Sequence, residues 1–350
     1  MLNAKIHKHD LIFKEQAGTS RGTLAKKVSI FLGLYQDNKL IGLGECSLLP
    51  GLSFESEKVA LKQLNAIAKE INKKQVLPNS KKLEGYPCVR FCVETAILGF
   101  NNVSFDKVFV LEIASKNNPI KINGLVWMDS QARQLKKIEK KIAQGFQCIK
   151  LKVGALSFEE DLALIKEIRE VSKKIEIRLD ANGSFNKDNV YKILDSFSKY
   201  NIHSIEQPLK AGQVNETHEL IKENIIDIAL DEEIIFHKKF YSSKEDLLEK
   251  LNPQYIILKP GLIGGFSETS QWISLSKDKK IGFWLTSALE SNVGLHAIYQ
   301  YCLSLQLSGY QGLGTGSLFE NNIESPLVQQ GENILIDNNK VWNLSMLFTK

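Results

Sequence analysis

Ile149-Lys150-Leu151-Lys152, Ile177-Arg178-Leu179-Asp180, Ile202-His203-Ser204-Ile205-Glu206, Ile228-Ala229-Leu230-Asp231, Tyr255-Ile256-Ile257-Leu258-Lys259 and Phe283-Trp284-Leu285-Thr286-Ser287 are six apolar runs. Each closes on a polar or charged residue, and they recur about every 25 to 30 residues. One strand, one helix and two short loops fill that interval, so the runs read as strands of a parallel (β/α)8-type barrel. Such a barrel gathers its chemistry at the carboxyl ends of its strands. There the charges run Lys, Asp, Glu, Asp, Lys in chain order. For any one run, the charge reads adequately as the first solvated residue of a loop. For the set that reading weakens, because like charges crowded into a barrel mouth are costly unless something compensates them. A divalent cation compensates three carboxylates, and oxygen ligands without His or Cys favour magnesium over zinc.

Working outward, helical periodicity follows the strands at Asp129 to Gly145, Glu159 to Ser172, Lys187 to Lys199, Thr217 to Glu223, Ser242 to Lys250, Phe266 to Ser276 and Val293 to Leu305. Pro119 to Val126 reads as the first barrel strand and Tyr310 to Thr315 as the last. The 350 residues exceed the roughly 250 of a bare barrel, so about a hundred must form something else. Residues 1–115 read as an α+β module. It has a hairpin of Val28 to Tyr35 and Leu40 to Cys46 about Asp37-Asn38-Lys39, then helices over Phe54 to Asn72 and Pro87 to Gly99. A small, polar, glycine-bearing loop near 17–24 suits a lid over the barrel mouth. The barrel then occupies 116–318. Residues 319–350, with short strands at Ile334-Leu335-Ile336 and Val341-Trp342, are expected to return to the N-terminal module.

The net charge of +5 is spread along helices and forms no basic block, which argues against nucleic acid and suits an anionic small molecule. The N-terminus has no apolar signal core and no run reaches 18 apolar residues, so the expectation is a cytoplasmic protein without membrane contact. Cys46, Cys88, Cys92, Cys148 and Cys302 read as free buried thiols, with no zinc spacing among them. His7 and His9 read as surface residues, His203 and His296 as structural ones. Gly261 to Gly265 and Gly312 to Gly316 match no phosphate-binding fingerprint and read as tight strand-to-helix turns. Strand alternation is expected to point Glu232 away from Asp231, and Glu290 and Asn292 are expected to buttress the seventh loop.

Alternation also puts Lys150 and Lys152 on one face, and Arg178, Asp180 and Asn182 on another. Asp180, Glu206 and Asp231 leave three consecutive strands and can converge on one ion, while Lys152 and Lys259 approach from opposite sides of the ring. A substrate carboxylate beside such an ion gains a partner for the charge that develops when its α-proton is removed, giving an enediolate. Lys152 is the expected base and Lys150 its electrostatic neighbour.

Lys150-Leu151-Lys152, Leu179-Asp180-Ala181-Asn182, Ile205-Glu206-Gln207-Pro208, Leu230-Asp231-Glu232 and Leu258-Lys259-Pro260 resemble the ordered barrel motifs of the enolase superfamily, in its muconate-lactonizing subgroup. The resemblance spans the chain. It implies an α/β fold: a (β/α)7β TIM-like barrel with an N-terminal α+β capping domain completed by the C-terminal segment. Thr286-Ser287-Ala288-Leu289-Glu290-Ser291-Asn292 and Gln311-Gly312-Leu313-Gly314-Thr315-Gly316 most resemble the o-succinylbenzoate synthases of menaquinone biosynthesis. Those lyases dehydrate 2-succinyl-6-hydroxy-2,4-cyclohexadiene-1-carboxylate with syn geometry through an enediolate.

On that likeness Mg2+, with Mn2+ as a substitute, is held by Asp180, Glu206 and Asp231. Lys152 removes the ring proton and returns it to the departing hydroxyl, and Lys259 stabilises the planar anion. Backbone amides near Ser287 and Gly312 receive the succinyl tail, and Arg178, Asn182 and the lid residues Ser20 and Arg21 help to enclose the substrate. Two alternatives stay open, an N-acylamino acid racemase or dipeptide epimerase and a non-catalytic barrel scaffold; so does a homo-oligomer. Dipeptide epimerases of this subgroup usually carry an Asp-x-Asp element by the eighth strand, where Gly312-Leu313-Gly314-Thr315 has no acid. A scaffold would be expected to have lost a ligand or a lysine, and none is missing.

Overall fold

The computed structural model describes residues 1–19, 22–111 and 118–348. Strands β1 (Leu2–Thr19), β2 (Gly22–Gln36) and β3 (Lys39–Ser47) form an antiparallel sheet in that order. Asp37 and Asn38 join β2 to β3 with both φ positive, at 50° and 67°, the backbone that a two-residue hairpin turn of matching twist demands. Helix α1 (Glu57–Lys74) starts where the Ser56 hydroxyl accepts from the Val59 N–H, and Ala60, Leu64, Ile67, Ala68 and Ile71 form its buried stripe. Helix α2 (Pro87–Asn101) lies directly on β3. That approach requires Gly42 and Gly44: a Cβ at Gly44 would stand 1.8 Å from the Cys92 carbonyl oxygen, and one at Gly42 2.1 Å from that of Ala96.

After β4 (Ile120–Lys121) come β5 (Gly124–Val126), α3 (Gln131–Ala143), β6 (Cys148–Lys152), α4 (Phe158–Val171), β7 (Glu176–Asp180), α5 (Val190–Ser198), β8 (Ile202–Glu206), α6 (Val214–Glu223) and β9 (Ile228–Leu230). The short α7 (Glu232–Ile235) and α8 (His237–Phe240) precede α9 (Lys244–Leu251). Then follow β10 (Tyr255–Leu258), α10 (Pro260–Ile263), α11 (Gly265–Asp278), β11 (Gly282–Leu285) and α12 (Asn292–Ser304). Strands β5 to β11 make one parallel sheet in chain order. Its edges meet through the eighth position, which is reduced to single-residue bridges: Gln311 to Ile122 and Gly312 to Thr286. The curled sheet is a TIM-like barrel in an α/β chain.

Three sequence expectations change. The stretch near 17–24 expected as a loop is paired strand where it is described, Ala17 with Leu24 and Gly18 with Thr23. The stretch expected as the first barrel strand is divided, with Ile120–Lys121 leaving the barrel to pair with β13 (Asn333–Ile336), which also pairs with β12 (Leu327–Gln330). Residues Val341 and Trp342 form no strand. The tail nevertheless reaches the N-terminal sheet: Phe13 bridges Phe319, and Trp342 packs edge-on against Phe105 in a cluster with Phe31 and Leu43. One continuous core runs from α1 and α2 into the barrel, so the parts are packed as one body. All five cysteines are buried and free.

Candidate active site

Parallel register builds the site. Lys152 lies opposite Asp180, and Asp180 opposite Glu206, so three charged strand ends stand level; Asp231 and Lys259 follow directly after β9 and β10. All five are buried or nearly so. The Lys150 Nζ lies 2.9 Å from Asp180 Oδ2 and 2.6 Å from Glu206 Oε2. Lys152 Nζ lies 2.9 Å from Asp180 Oδ2 and donates to Asn182 Oδ1 at 2.5 Å, while Lys259 pairs with Asp231. Asn182 holds a left-handed φ of 46°, and its amide donates to Glu232 Oε1 at 3.2 Å, which leaves its carbonyl oxygen facing Lys152.

Burial alone would strip the proton from Lys150, but the Asp180 and Glu206 carboxylates outweigh it and raise the ammonium above its usual range. Burial likewise opposes Lys259, and Asp231 with Glu206 prevails. For Asp180, burial is outweighed by Lys150 and Lys152, which hold it below the usual carboxylate range. Glu206 moves the other way, pushed up by burial and then by Asp180 beside it. The Lys150 ammonium serves two carboxylates at once, Asp180 and Glu206.

A divalent cation can be tested against these residues. Glu206 Oε1 and Asp231 Oδ1 are buried oxygens without a hydrogen-bond partner, hard donors on neighbouring strand ends. That donor set fits magnesium. Among the described residues no three His, Cys, Asp or Glu side chains already form a closed metal-ready group, since lysine amines stand between these carboxylates.

Above the charges opens a cleft of about 910 Å³ of atom-free space, part of it continuous with solvent. Lys150, Lys152, Asp180, Asn182 and Lys259 line its floor, and Ser287, Gly312, Gly314 and Thr315 one wall. Another part of the lining is apolar: Leu24, Leu49, Pro50, Leu52 and Leu125, with the Trp127 ring 5.9 Å from Lys152 Nζ. Sequence reasoning reached this lining only through Leu24, at the end of the expected lid segment, and Leu125, in the expected first strand; the others carry no charge or motif to mark them. Nor did it give a role to Gln207, whose side-chain oxygen accepts from the Asp231 and Glu233 N–H groups at 3.1 Å each and so fixes the backbone that carries Asp231. Its place beside Glu206 was the available signal.

Three expected contacts are corrected. Arg178 does not reach the cleft; its guanidinium stacks on Trp284 at 4.2 Å and bonds Glu176 and the Tyr310 carbonyl, one layer deeper in the barrel. The Gly312 N–H is already spent on the Leu285 carbonyl and the Ser287 N–H on that of Gly312, because these bonds close the barrel. Glu232 does not alternate away from the site, since the chain turns helical at α7 and brings it to Asn182. The lid residues Ser20 and Arg21 lie outside the described residues.

A family model described as Enolase C-terminal domain-like matches residues 133–339. An o-succinylbenzoate synthase from Desulfotalea psychrophila is 38% identical over 354 residues, covering 92% of this chain and 95% of that protein. The chain belongs to the enolase superfamily. The crystal structure of MenC from Desulfotalea psychrophila aligns with a TM-score of 0.80 at 34% identity, over 96% of this chain and 99% of the other. At 18% identity the superfamily fold alone is shared with the dipeptide epimerase from Enterococcus faecalis complexed with Mg and L-Leu-L-Tyr, at a TM-score of 0.80 and coverage of 95% and 96%. No helix among the described residues is long and apolar enough to cross a membrane.

Proposed function

We propose that this enolase-superfamily chain is an o-succinylbenzoate synthase, converting 2-succinyl-6-hydroxy-2,4-cyclohexadiene-1-carboxylate and releasing water in menaquinone biosynthesis. The observation that carries the reading is the pair Lys152 and Lys259. They sit on β6 and just after β10, across the ring from each other, and line one cleft with buried carboxylates between them. Identity of 38% over nearly the whole chain selects this lyase chemistry within the family.

Asp180, Glu206 and Asp231 would hold Mg2+, or Mn2+ in its place, which supplies a Lewis-acidic partner for the substrate carboxylate as it becomes more negative. Lys152 takes the ring proton and, as the ammonium, delivers it to the hydroxyl on the same face, so the departing group leaves as water and the ring becomes aromatic. No net proton enters or leaves. Asn182 accepts a hydrogen bond from Lys152 and aims its Nζ. Lys259 faces the planar anion from the other side of the ring. The apolar wall of Leu24, Leu49, Pro50 and Leu52 excludes water from the ring carbon. The Ser287–Thr315 wall receives the succinyl end, with the segment near residues 17–24 as a lid. The division at 1–115, 116–318 and 319–350, a cytoplasmic location and a small carboxylate as the partner belong to the same reading.

Adding the cyclohexadiene substrate and magnesium to the protein should make aromatic absorbance grow. Absence of that signal, together with deuterium exchange into an N-succinylamino acid, would assign the cleft to racemisation instead.

A further inference from the structure

One buried charged cluster plays no part in that chemistry. Lys27 on β2 is 2% exposed, and Ser29, Glu45, Ser47, Glu290 and Ser291 are wholly buried. Ser29 faces Ser47 across β2 and β3, so Lys27, Ser29, Glu45 and Ser47 share one face of the N-terminal sheet. Lys27 Nζ donates to Ser47 Oγ at 2.7 Å and to Ser29 Oγ at 3.1 Å; Ser29 Oγ donates to Glu45 Oε1 at 2.6 Å. Two branches then cross to the barrel. Ser47 Oγ donates to the Ala288 carbonyl at 3.1 Å. Glu45 accepts from the Ser291 N–H at 2.8 Å, the Ser291 hydroxyl at 2.5 Å and the Gly294 N–H at 3.0 Å, capping α12 from another part of the chain.

Both branches end on the turn from Ser287 to Ser291, and Ser287 and Leu289 of that turn line the cleft. Leu289 holds a φ of 60°, a left-handed backbone that a branched apolar side chain adopts only where its surroundings enforce it. An ammonium buried against hydroxyls is a costly choice where methionine would fill the same space. Its position explains it: burial lowers the Lys27 pKa, and Glu45 with Glu290 on the barrel side is what supports the charge. The same strand carries Leu24 into the lining of the cleft.

We propose that Lys27 and Glu45 are positioning residues that hold the Ser287–Leu289 turn and thereby fix the wall against which the non-reacting, succinyl end of the substrate rests. The assignment rests on the synthase reading for the identity of that end, though not for the dependence of the turn on the cluster. The test compares the full-length parent with Lys27→Met, Ser47→Ala, Ser47→Thr and the double variant Lys27→Met/Glu45→Gln. Amide hydrogen exchange across 286–291 is followed in the ligand-free protein, and KM and kcat are measured with the cyclohexadiene substrate.

Loss of one buried hydrogen bond should speed exchange in the turn by about tenfold and raise KM by about the same factor, with kcat moved by less than about threefold. Ser47→Thr keeps the hydroxyl and should behave as the parent, and Lys27→Met/Glu45→Gln, which also weakens the bonds to Ser291 and Gly294, should lose more than Lys27→Met alone. Unchanged exchange and KM in Ser47→Ala, whether or not Lys27→Met folds, would overturn the proposal, as would a fall in melting temperature alone. A parent without synthase turnover would remove the substrate assignment, while the exchange data still decide whether the cluster holds the turn.

Discussion

Two buried glutamates receive opposite treatment. Glu45, between the N-terminal sheet and α12, accepts from four neutral groups, two on each carboxylate oxygen. Glu206, at the end of β8, has Lys150 on one oxygen and no partner on the other. Either arrangement can keep a carboxylate inside a protein, but only the first is complete by itself. Neutral dipoles that saturate a charge hold it for architecture. A half-filled carboxylate is poised to accept a further positive partner, and it lies where the chemistry is proposed.

The contrast breaks most visibly at the lysines of the mouth. Lys152→Ala should lower kcat by about 10⁴-fold, the upper range for removing a general acid–base group, while magnesium still raises the melting temperature. Activity within tenfold of the parent, by the absorbance assay, would mean that the mouth is as passive as the Glu45 region.

Glu290 stands between the two cases. One oxygen accepts the Ala288 N–H and the other is buried without a partner. Burial first, and then Glu45, push its pKa up to about 7 from the ordinary 4.5. The sign follows from proton uptake: between pH 4.5 and 7 the folded chain keeps this proton and the unfolded chain gives it up, so stability falls as pH rises through the window. Summed over it, the loss is about 3 kcal/mol, complete above pH 7. Urea unfolding at pH 5 and pH 8 should show that slope in the parent and its loss in Glu290→Gln. An unchanged slope would mean that the bare oxygen has a partner after all.

Glu206→Gln sharpens the comparison from the other side. Magnesium at a hundred times its dissociation constant should stabilise the parent by about 2.7 kcal/mol. The variant should lose most of that gain, while without metal it should differ less from the parent, because Lys150 keeps its ion pair with Asp180. Equal magnesium stabilisation in both proteins, by thermal unfolding, would take Glu206 out of the proposed ligand set.

The two regions were also unequally legible in the sequence. Charges closing apolar runs at a steady interval are local signals, so the ring of strands and its lysines and acids could be read from Ile149 to Ser287. The Glu45 cluster could not: Glu45 meets Ser291 across 246 residues, and no local pattern carries such a contact. A lone acid within the otherwise apolar Lys39–Ser47 strand was the only hint. Alternation gives a side chain's face but not its depth. It also stops applying where a strand turns helical, as it does before Glu232. The eighth strand was overread because two bridges suffice to close the ring.

Arg178 makes the point about depth testable, with the smallest expected effect. It shares a face with Asp180 but starts two residues earlier, about 6.6 Å lower along the strand. There it stacks on Trp284 and bonds the Tyr310 carbonyl at 2.9 Å, so its work is to fill the barrel beneath the site. Methionine can replace the stem and the stacking surface but not the bond to Tyr310. Arg178→Met should therefore cost about 2 kcal/mol in urea unfolding, the order of one charged hydrogen bond lost in a buried place. The KM for the cyclohexadiene substrate should stay within about twofold of the parent, because Arg178 itself does not line the cleft. A rise in KM without loss of stability would return Arg178 to the wall of the cleft, where alternation alone had put it.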